Sequence, residues 1–275
     1  MAHTYKDKIC VVTGAASGIG RAVAINLAQQ GAAVAISDVN EAGLEETRQL
    51  MGAQSSNRIR VDRLDVADGD AIIRYAAAIQ EGLGNADYVF NIAGLTRVGT
   101  FENTPLSSFE KIIDVNFWGV IRMSKAFLPQ LLTTKGGLVN ISSLFGFIGY
   151  GGQAHYCASK FGVRGFSETI AQELSEKGVR VTSVHPGGVA TSIARNAEID
   201  RMPVAYKEKR QLDERFDKAA ITSAARAAEI ILDGAGRGKR RVVVGPDAKF
   251  VSLIQRLFPE SYAAKLAMLL PKNAS

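Results

Sequence analysis

The stretch Lys8-Ile-Cys-Val-Val-Thr-Gly-Ala-Ala-Ser-Gly-Ile-Gly20 decides the fold. Its first part, Lys8 to Val12, is a short apolar run of strand type. Three glycines follow at once, and then a helical pattern carrying Val23, Leu27 and Ala28. Strand, glycine turn and helix form a phosphate-binding layout. Backbone amides at a helix N-terminus face an anion, and glycines let that backbone come close to it. The spacing is Gly14-x-x-x-Gly18-x-Gly20, whereas the commoner dinucleotide fingerprint has its first two glycines two apart. Glycines so placed also serve ordinary strand-to-helix turns, so the rest of the chain has to decide between the two.

Working outward, the alternation continues. Apolar runs at Ile9–Val12, Ala33–Ile36, Ile59–Leu64, Tyr88–Asn91, Leu138–Ile141, Val179–Val184 and Val242–Val244 read as seven buried strands with helical patterns between them. Strictly alternating strands and helices imply right-handed crossovers. The fold class is therefore α/β, a doubly wound, Rossmann-type sheet of seven parallel strands with helices on both faces. Ligands bind such sheets beyond the carboxyl ends of the strands. The glycine loop, Asp38, Asp65, Asn91, Ser143 and Pro186 each end or follow an expected strand, so residues scattered along the chain converge on one edge.

Two chemistries are expected at that edge. Asp38 closes the second apolar run, where a carboxylate accepts both hydroxyls of an adenosine ribose and repels a 2′-phosphate. Val39 and Ser17 are uncharged, and no arginine or lysine is evident to hold an extra phosphate, which favours NAD over NADP. Asp38 also suits an N-cap or a turn aspartate ahead of the helix near Glu41 to Leu50. The second chemistry lies in His155-Tyr-Cys-Ala-Ser-Lys160, where Tyr156 and Lys160 stand four apart and share a helix face. A lysine ammonium beside the phenol favours the phenolate and lowers its pKa, which would make Tyr156 a usable acid or base. Ser142-Ser143 lies just upstream.

With both ends read, the chain resembles the short-chain dehydrogenase/reductase family, in its single-domain branch of about 250 residues, over roughly residues 5 to 246. Thr13 to Gly20, with Ser17 and Ile19, is similar to the family's cofactor loop, and Asp65-Val66 to its adenine contact. Asn91-Ile-Ala-Gly94, bearing Ala93, resembles its Asn-Asn-Ala-Gly motif, with Ile92 in place of the asparagine that ties neighbouring strands. Asn116, Ser143, Tyr156 and Lys160 match its catalytic set. Pro186-Gly187, Val189 and Thr191 resemble the loop that holds the nicotinamide carboxamide.

The resemblance implies hydride transfer between NAD and a secondary alcohol or ketone. Tyr156 would move the proton and Ser143 would bind the substrate oxygen. Lys160 would lower the Tyr156 pKa and bond the nicotinamide ribose, and Asn116 would hold a water relaying protons to Lys160. Ser143 is preferred to Ser142, which reads as a strand-end hydroxyl bonded to backbone. Phe145, Tyr150 and Ile193, with Leu95 and Met202, fall where relatives build the substrate pocket and imply a largely apolar substrate; Arg195 and Arg201 read as solvated charges or a carboxylate site. The rival reading is a non-catalytic dinucleotide-binding scaffold or sensor on the same fold. A third is a relative that uses the tyrosine for epimerisation or dehydration.

Composition agrees with one domain over 1–275: 47% of the residues are hydrophobic and 27 are glycine, enough to bury a full core. Residues 191–218 read as a substrate lid and 247–275 as an amphipathic helical tail. The polar N-terminus leaves no room for a signal peptide, no apolar run reaches a membrane span, and a cytoplasmic location is expected. Cys10 and Cys157 have no metal-ligand spacing and read as reduced thiols. His155 and His185 read as packing residues beside the site. A net charge of +6 is modest, and no nucleic-acid motif accompanies it. The tail is expected to dock on the chain's own substrate side or on a neighbouring subunit, with a membrane surface as the alternative. Helices carrying Asn116 and Tyr156, the first spanning Leu106 to Leu132, would pack a homodimer or homotetramer.

Overall fold

The computed structural model describes residues 5–52, 58–191, 197–200 and 220–269, together with Arg210, Glu214 and Lys218. Seven strands form the central sheet: β1 (Ile9–Thr13), β2 (Ala33–Asp38), β3 (Ile59–Arg63), β4 (Tyr88–Asn91), β5 (Gly137–Ile141), β6 (Arg180–Pro186) and β7 (Arg241–Val244). Every pairing is parallel and the order is β7-β6-β5-β4-β1-β2-β3. The order reverses between β1 and β4, and a crevice opens at such a reversal.

Helices cover both faces because side chains alternate along each strand. Cys10 and Val12 point into one apolar cluster, with Val23 and Leu27 of α1 (Gly18–Gln29) and Ile231 of α7 (Ala224–Gly236). Val11, between them, joins the opposite cluster with Ile79 of α3 (Gly69–Gly82) and Phe127 of α5 (Gly119–Thr134). Helices α2 (Glu41–Met51) and α6 (Ala154–Glu173) complete the layers. Among the described residues no helix is long and apolar enough to cross a membrane.

Three expectations need correction. The run at 59–64 is not fully buried: β3 is a sheet edge, its residues are partly covered or exposed, and Arg60 pairs with Asp62 at 2.9 Å. The helix expected over Leu106–Leu132 is broken into α4 (Leu106–Ile113), a π turn over Asp114–Trp118, and α5. A π turn inserts one residue into the helical ladder, and such turns concentrate at functional sites; this one carries the fully buried Asn116. Asp38 does not cap α2. Asn40 does, its side chain accepting from the Gly43 amide at 3.1 Å.

The tail forms two helices, α8 (Pro246–Leu257) and α9 (Tyr262–Leu269). Val251, Ile254, Tyr262 and Leu266 pack against Phe147 and Ile148, on the segment that follows Ser143, while Phe250, Leu253 and Leu257 remain exposed. Gly149 donates its amide to the Tyr262 hydroxyl at 3.0 Å.

Candidate active site

The glycine loop is shaped by contacts that leave no room for side chains. Gly14 and Gly18 have φ of +69° and +54°, and a Cβ on Gly14 would lie 2.7 Å from the Ala93 nitrogen. A Cβ on Gly20 would overlap the Gly14 carbonyl. The loop therefore turns tightly and lies against the end of β4. Helix α2 braces it from behind: the Thr47 hydroxyl donates to the Ala15 carbonyl at 2.8 Å, and Arg21 donates to the Ala16 carbonyl at 2.5 Å and pairs with Glu46 at 2.7 Å. Asp38 faces the loop, one carboxylate oxygen accepting from the Ala16 amide at 3.1 Å and the other from the Asn40 amide at 3.0 Å.

At the end of β4 the strand tie that Ile92 cannot make is made by its neighbours. Thr13 Oγ1 accepts from the Ile92 and Ala93 amides at 3.0 and 3.1 Å. The Asn91 side chain, expected at the cofactor, is turned away instead, donating to Asn140 at 2.9 Å and Ser124 at 3.3 Å; Asn140 in turn donates to Ser167 at 3.0 Å. These four residues are buried and join β4 and β5 to α5 and α6. A cradle of this kind keeps Ala93 and Gly94 in place as backbone walls. Thr13 was not singled out as a tie from the sequence, although a hydroxyl ending β1 opposite a position that lacks an amide was the available signal.

The glycine loop, Ser17, Ile19, Asp38, Asp65, Val66, Ala93, Gly94, Pro186, Gly187, Val189 and Thr191 line one cleft of about 550 Å³, whose floor carries Ser143, Tyr156 and Lys160. Leu64, Leu95, Thr96, Lys111, Val115 and Ile141 also line it; of these only Leu95 was expected, since single residues outside a motif carry no pattern of their own. Phe145 and Tyr150 stand beside the cleft rather than in its wall. Their rings stack at 5.0 Å, and Phe145 presents to the Tyr156 ring edge-on at 6.2 Å. Ile193, Met202, Arg195 and Arg201 lie outside the described residues. Of the expected lid, Glu198–Ile199 pairs with Arg97–Val98, and Arg97 holds Asp200 at 2.6 Å.

The electrostatics of the trio differ from the sequence expectation. Desolvation at the floor of the cleft pushes the Tyr156 phenol up to about 12, and a hydrogen bond with Ser143 offsets this only in part. Lys160 does not pull it down; burial lowers the lysine itself to about 8. Its ammonium lies 5.5 Å from the centre of the Tyr156 ring and donates to the Ile141 carbonyl at 3.1 Å. The i, i+4 spacing brought the two together as read, but the low-dielectric surroundings disfavour both charged forms. At neutral pH the phenol is therefore neutral and positioned to give a proton.

Around the trio the remaining groups are committed. Ser142 donates to the Lys160 carbonyl at 2.8 Å, a backbone role as expected. The Asn116 amide is engaged on both sides by Leu95, accepting from its nitrogen and donating to its oxygen at 2.9 Å each, and donates to Ser159 at 3.2 Å. The side-chain amide thus clamps the cleft wall. His185 bridges Ser183 and the Ser143 carbonyl and stacks on Phe147 at 4.1 Å, with burial lowering it to about 4. Cys10 and Cys157 are buried free thiols that burial pushes up.

Known proteins resemble this chain in sequence and in fold. The family model described as short chain dehydrogenase matches residues 8–201. A putative oxidoreductase SadH of Mycobacterium tuberculosis is 42% identical over 271 residues, covering 96% of this chain and 95% of that protein. The 2,5-dichloro-2,5-cyclohexadiene-1,4-diol dehydrogenase LinX of Sphingobium indicum is 35% identical over 201 residues, covering 73% and 80%. A crystal structure of a short chain dehydrogenase/reductase from Burkholderia phymatum in complex with NAD superposes with a TM-score of 0.84 at 24% identity, covering 94% of this chain and 96% of that one.

Proposed function

From the premise that this chain belongs to the short-chain dehydrogenase family, oxidoreductases that bind an NAD(P) dinucleotide and act on small alcohols or ketones, we propose that it transfers a hydride between NAD and a secondary alcohol or ketone of largely apolar character. The observation that carries this is one continuous cleft with the glycine loop and Asp38 at one end and Ser143, Tyr156 and Lys160 on its floor. The residues fit a dinucleotide because glycine, not side chain, forms the loop wall where a Cβ would collide with backbone.

When bound, the dinucleotide supplies or accepts the hydride. In the reducing direction Tyr156 gives its hydroxyl proton to the substrate oxygen as the carbonyl carbon gains the hydride, and Ser143 holds that oxygen and steadies the charge that develops on it. Lys160, its ammonium 5.5 Å from the centre of the Tyr156 ring, would bond the nicotinamide ribose. Desolvation keeps the Tyr156 phenol protonated at neutral pH, so the proton is there to give, while making it a weaker acid than a free phenol. Asn116 orders the Leu95 wall.

Asp38 supports NAD rather than NADP, since its carboxylate already faces the loop and its neighbours Val39, Asn40 and Leu64 are uncharged. Two nearby guanidinium groups are committed elsewhere, Arg21 to Glu46 and Arg63 to Glu41 at 3.3 Å. The exposed Leu106, Trp118 and Phe161 on and beside α4, α5 and α6 support a homodimer or homotetramer. The test of the activity is cofactor absorbance over a panel of secondary alcohols and ketones with NAD and NADH. Net turnover is expected. Tight NADH binding with no turnover on any of them would favour a non-catalytic scaffold.

A further inference from the structure

Asp247, in the first turn of α8, is not part of the cleft wall, yet it is tied to that wall. Its Oδ2 accepts from the Gly188 amide at 2.6 Å. Its Oδ1 is buried with no hydrogen-bond partner among the described residues. A carboxylate oxygen buried without a partner is costly, so it persists only where the surrounding structure holds it in place.

What holds it is a pair of glycines. A Cβ at Gly187 or at Gly245 would run into the Asp247 carboxylate. Gly245 has a φ of +96° and needs glycine for its backbone as well; Gly187 has no left-handed conformation and needs it only to make room for the carboxylate. The same loop is fastened twice more from the C-terminal part of the chain: Gly187 donates to the Val244 carbonyl at 2.9 Å, and Thr222 donates to the Gly188 carbonyl at 3.1 Å.

We propose that Asp247 is a positioning residue for the dinucleotide: it fixes the Pro186–Thr191 side of the cleft, and Gly187 is the space its carboxylate requires. The proposal rests on the reading of the cleft as a dinucleotide site. A hydrogen bond from a partly buried amide to a carboxylate is among the stronger ones, and losing it frees the loop to move away from the ligand.

The experiment is a two-by-two cycle on the full chain, Gly187→Ala, Asp247→Ala and the double variant, with NADH titrated by fluorescence and the unfolding midpoint recorded for each. Asp247→Ala is expected to raise the NADH Kd about tenfold, with KM for the dinucleotide rising more than kcat falls. Asp247→Asn keeps an acceptor for the Gly188 amide and is expected to stay within about threefold of the parent. Gly187→Ala is expected to weaken binding by about tenfold or more in the parent background and by at most about twofold in the Asp247→Ala background, because the collision is gone.

Equal Gly187→Ala effects in both backgrounds would overturn the proposal. So would an Asp247→Ala protein that melts earlier but binds NADH as the parent does, since the carboxylate would then be structural only. A parent that binds no dinucleotide would sink the reading of the cleft as well, which separates the two failures. Should Asp247→Ala fail to fold, Asp247→Ser, whose single oxygen can turn to a rotamer that points away from Gly187, takes its place in the cycle.

Discussion

Two loops close the cleft from opposite sides, and they are built by opposite means. The loop after β1 carries a requirement of its own: Gly20 is forced by the Gly14 carbonyl, and Gly14 and Gly18 by their positive φ, although the distant Ala93 backbone crowds Gly14 as well. The loop after β6 is specified from a distance. Its bond to Asp247 spans 59 residues, and its glycine at 187 answers to that side chain and to no local geometry. A wall of the first kind can be read from a short stretch of sequence, and one of the second kind only from the folded chain.

The catalytic pair shows the same division inside one helix. That Tyr156 and Lys160 meet is local, and what their protons do is not. Replacing Tyr156→Phe keeps the ring and removes the proton, so kcat is expected to fall by about a hundredfold or more while the NADH Kd stays within about threefold. Turnover close to the parent's would show that another group moves the proton, and the local half of the comparison would lose its main example.

The non-local half is sharpened by Lys160. The folded chain releases the lysine proton near 8, the unfolded chain near its ordinary 10.5, so between these values the unfolded state binds more protons and stability rises with pH. Below about 8 the buried charge is a standing cost. Lys160→Met is therefore expected to abolish turnover and yet raise stability at pH 7, by on the order of 1–3 kcal/mol after the lost bond to the Ile141 carbonyl is counted. The gap should shrink as the pH is raised toward 10. Denaturant unfolding at two pH values checks it; a Lys160→Met protein that is less stable at pH 7 would mean that the ammonium is better solvated than its burial implies.

The same division governs what was legible beforehand. The seven strands, their parallel pairing and the edge at which the site residues gather were all readable, because apolar runs and glycine turns are contiguous signals. Asn91 was misplaced for a tertiary reason: its partners Ser124 and Asn140 lie on other elements. The π turn at Asp114–Trp118 has no apolar period to announce it, whereas β3 did carry a signal of its edge position, Arg60, Asp62 and Arg63 interrupting its apolar residues. The Tyr156 phenol was expected to drop and is raised instead, since spacing reports proximity and not dielectric.

Asp38 tests the local side at smaller scale. Its carboxylate is held by two backbone amides of neighbouring turns, so Asp38→Ala removes both a ribose acceptor and the repulsion of a 2′-phosphate. The ratio of NADP to NAD affinity is expected to rise about tenfold, and further with Val39→Arg added. Titration of both dinucleotides into the parent and variant checks it. A parent that already prefers NADP would end the assignment.

The smallest effect is expected where the tail meets the substrate side. Tyr262 accepts the Gly149 amide, and with Leu266 it covers Phe147 and Ile148, on the segment that carries Phe145 to the edge of the Tyr156 ring. Tyr262→Phe keeps the packing and removes one exposed hydrogen bond, a net change of about 0.5–1.5 kcal/mol at most. Because that bond ends on the loop beside the catalytic tyrosine and nowhere near Asp38 or the glycine loop, the change should appear in KM for the carbonyl substrate, by about two- to fivefold, with the NADH Kd unmoved. Steady-state kinetics on a substrate found in the panel reads both constants. Equal losses in the two would mean that α9 supports the whole cleft, and the tail would then belong with Asp247 on the cofactor side of the comparison.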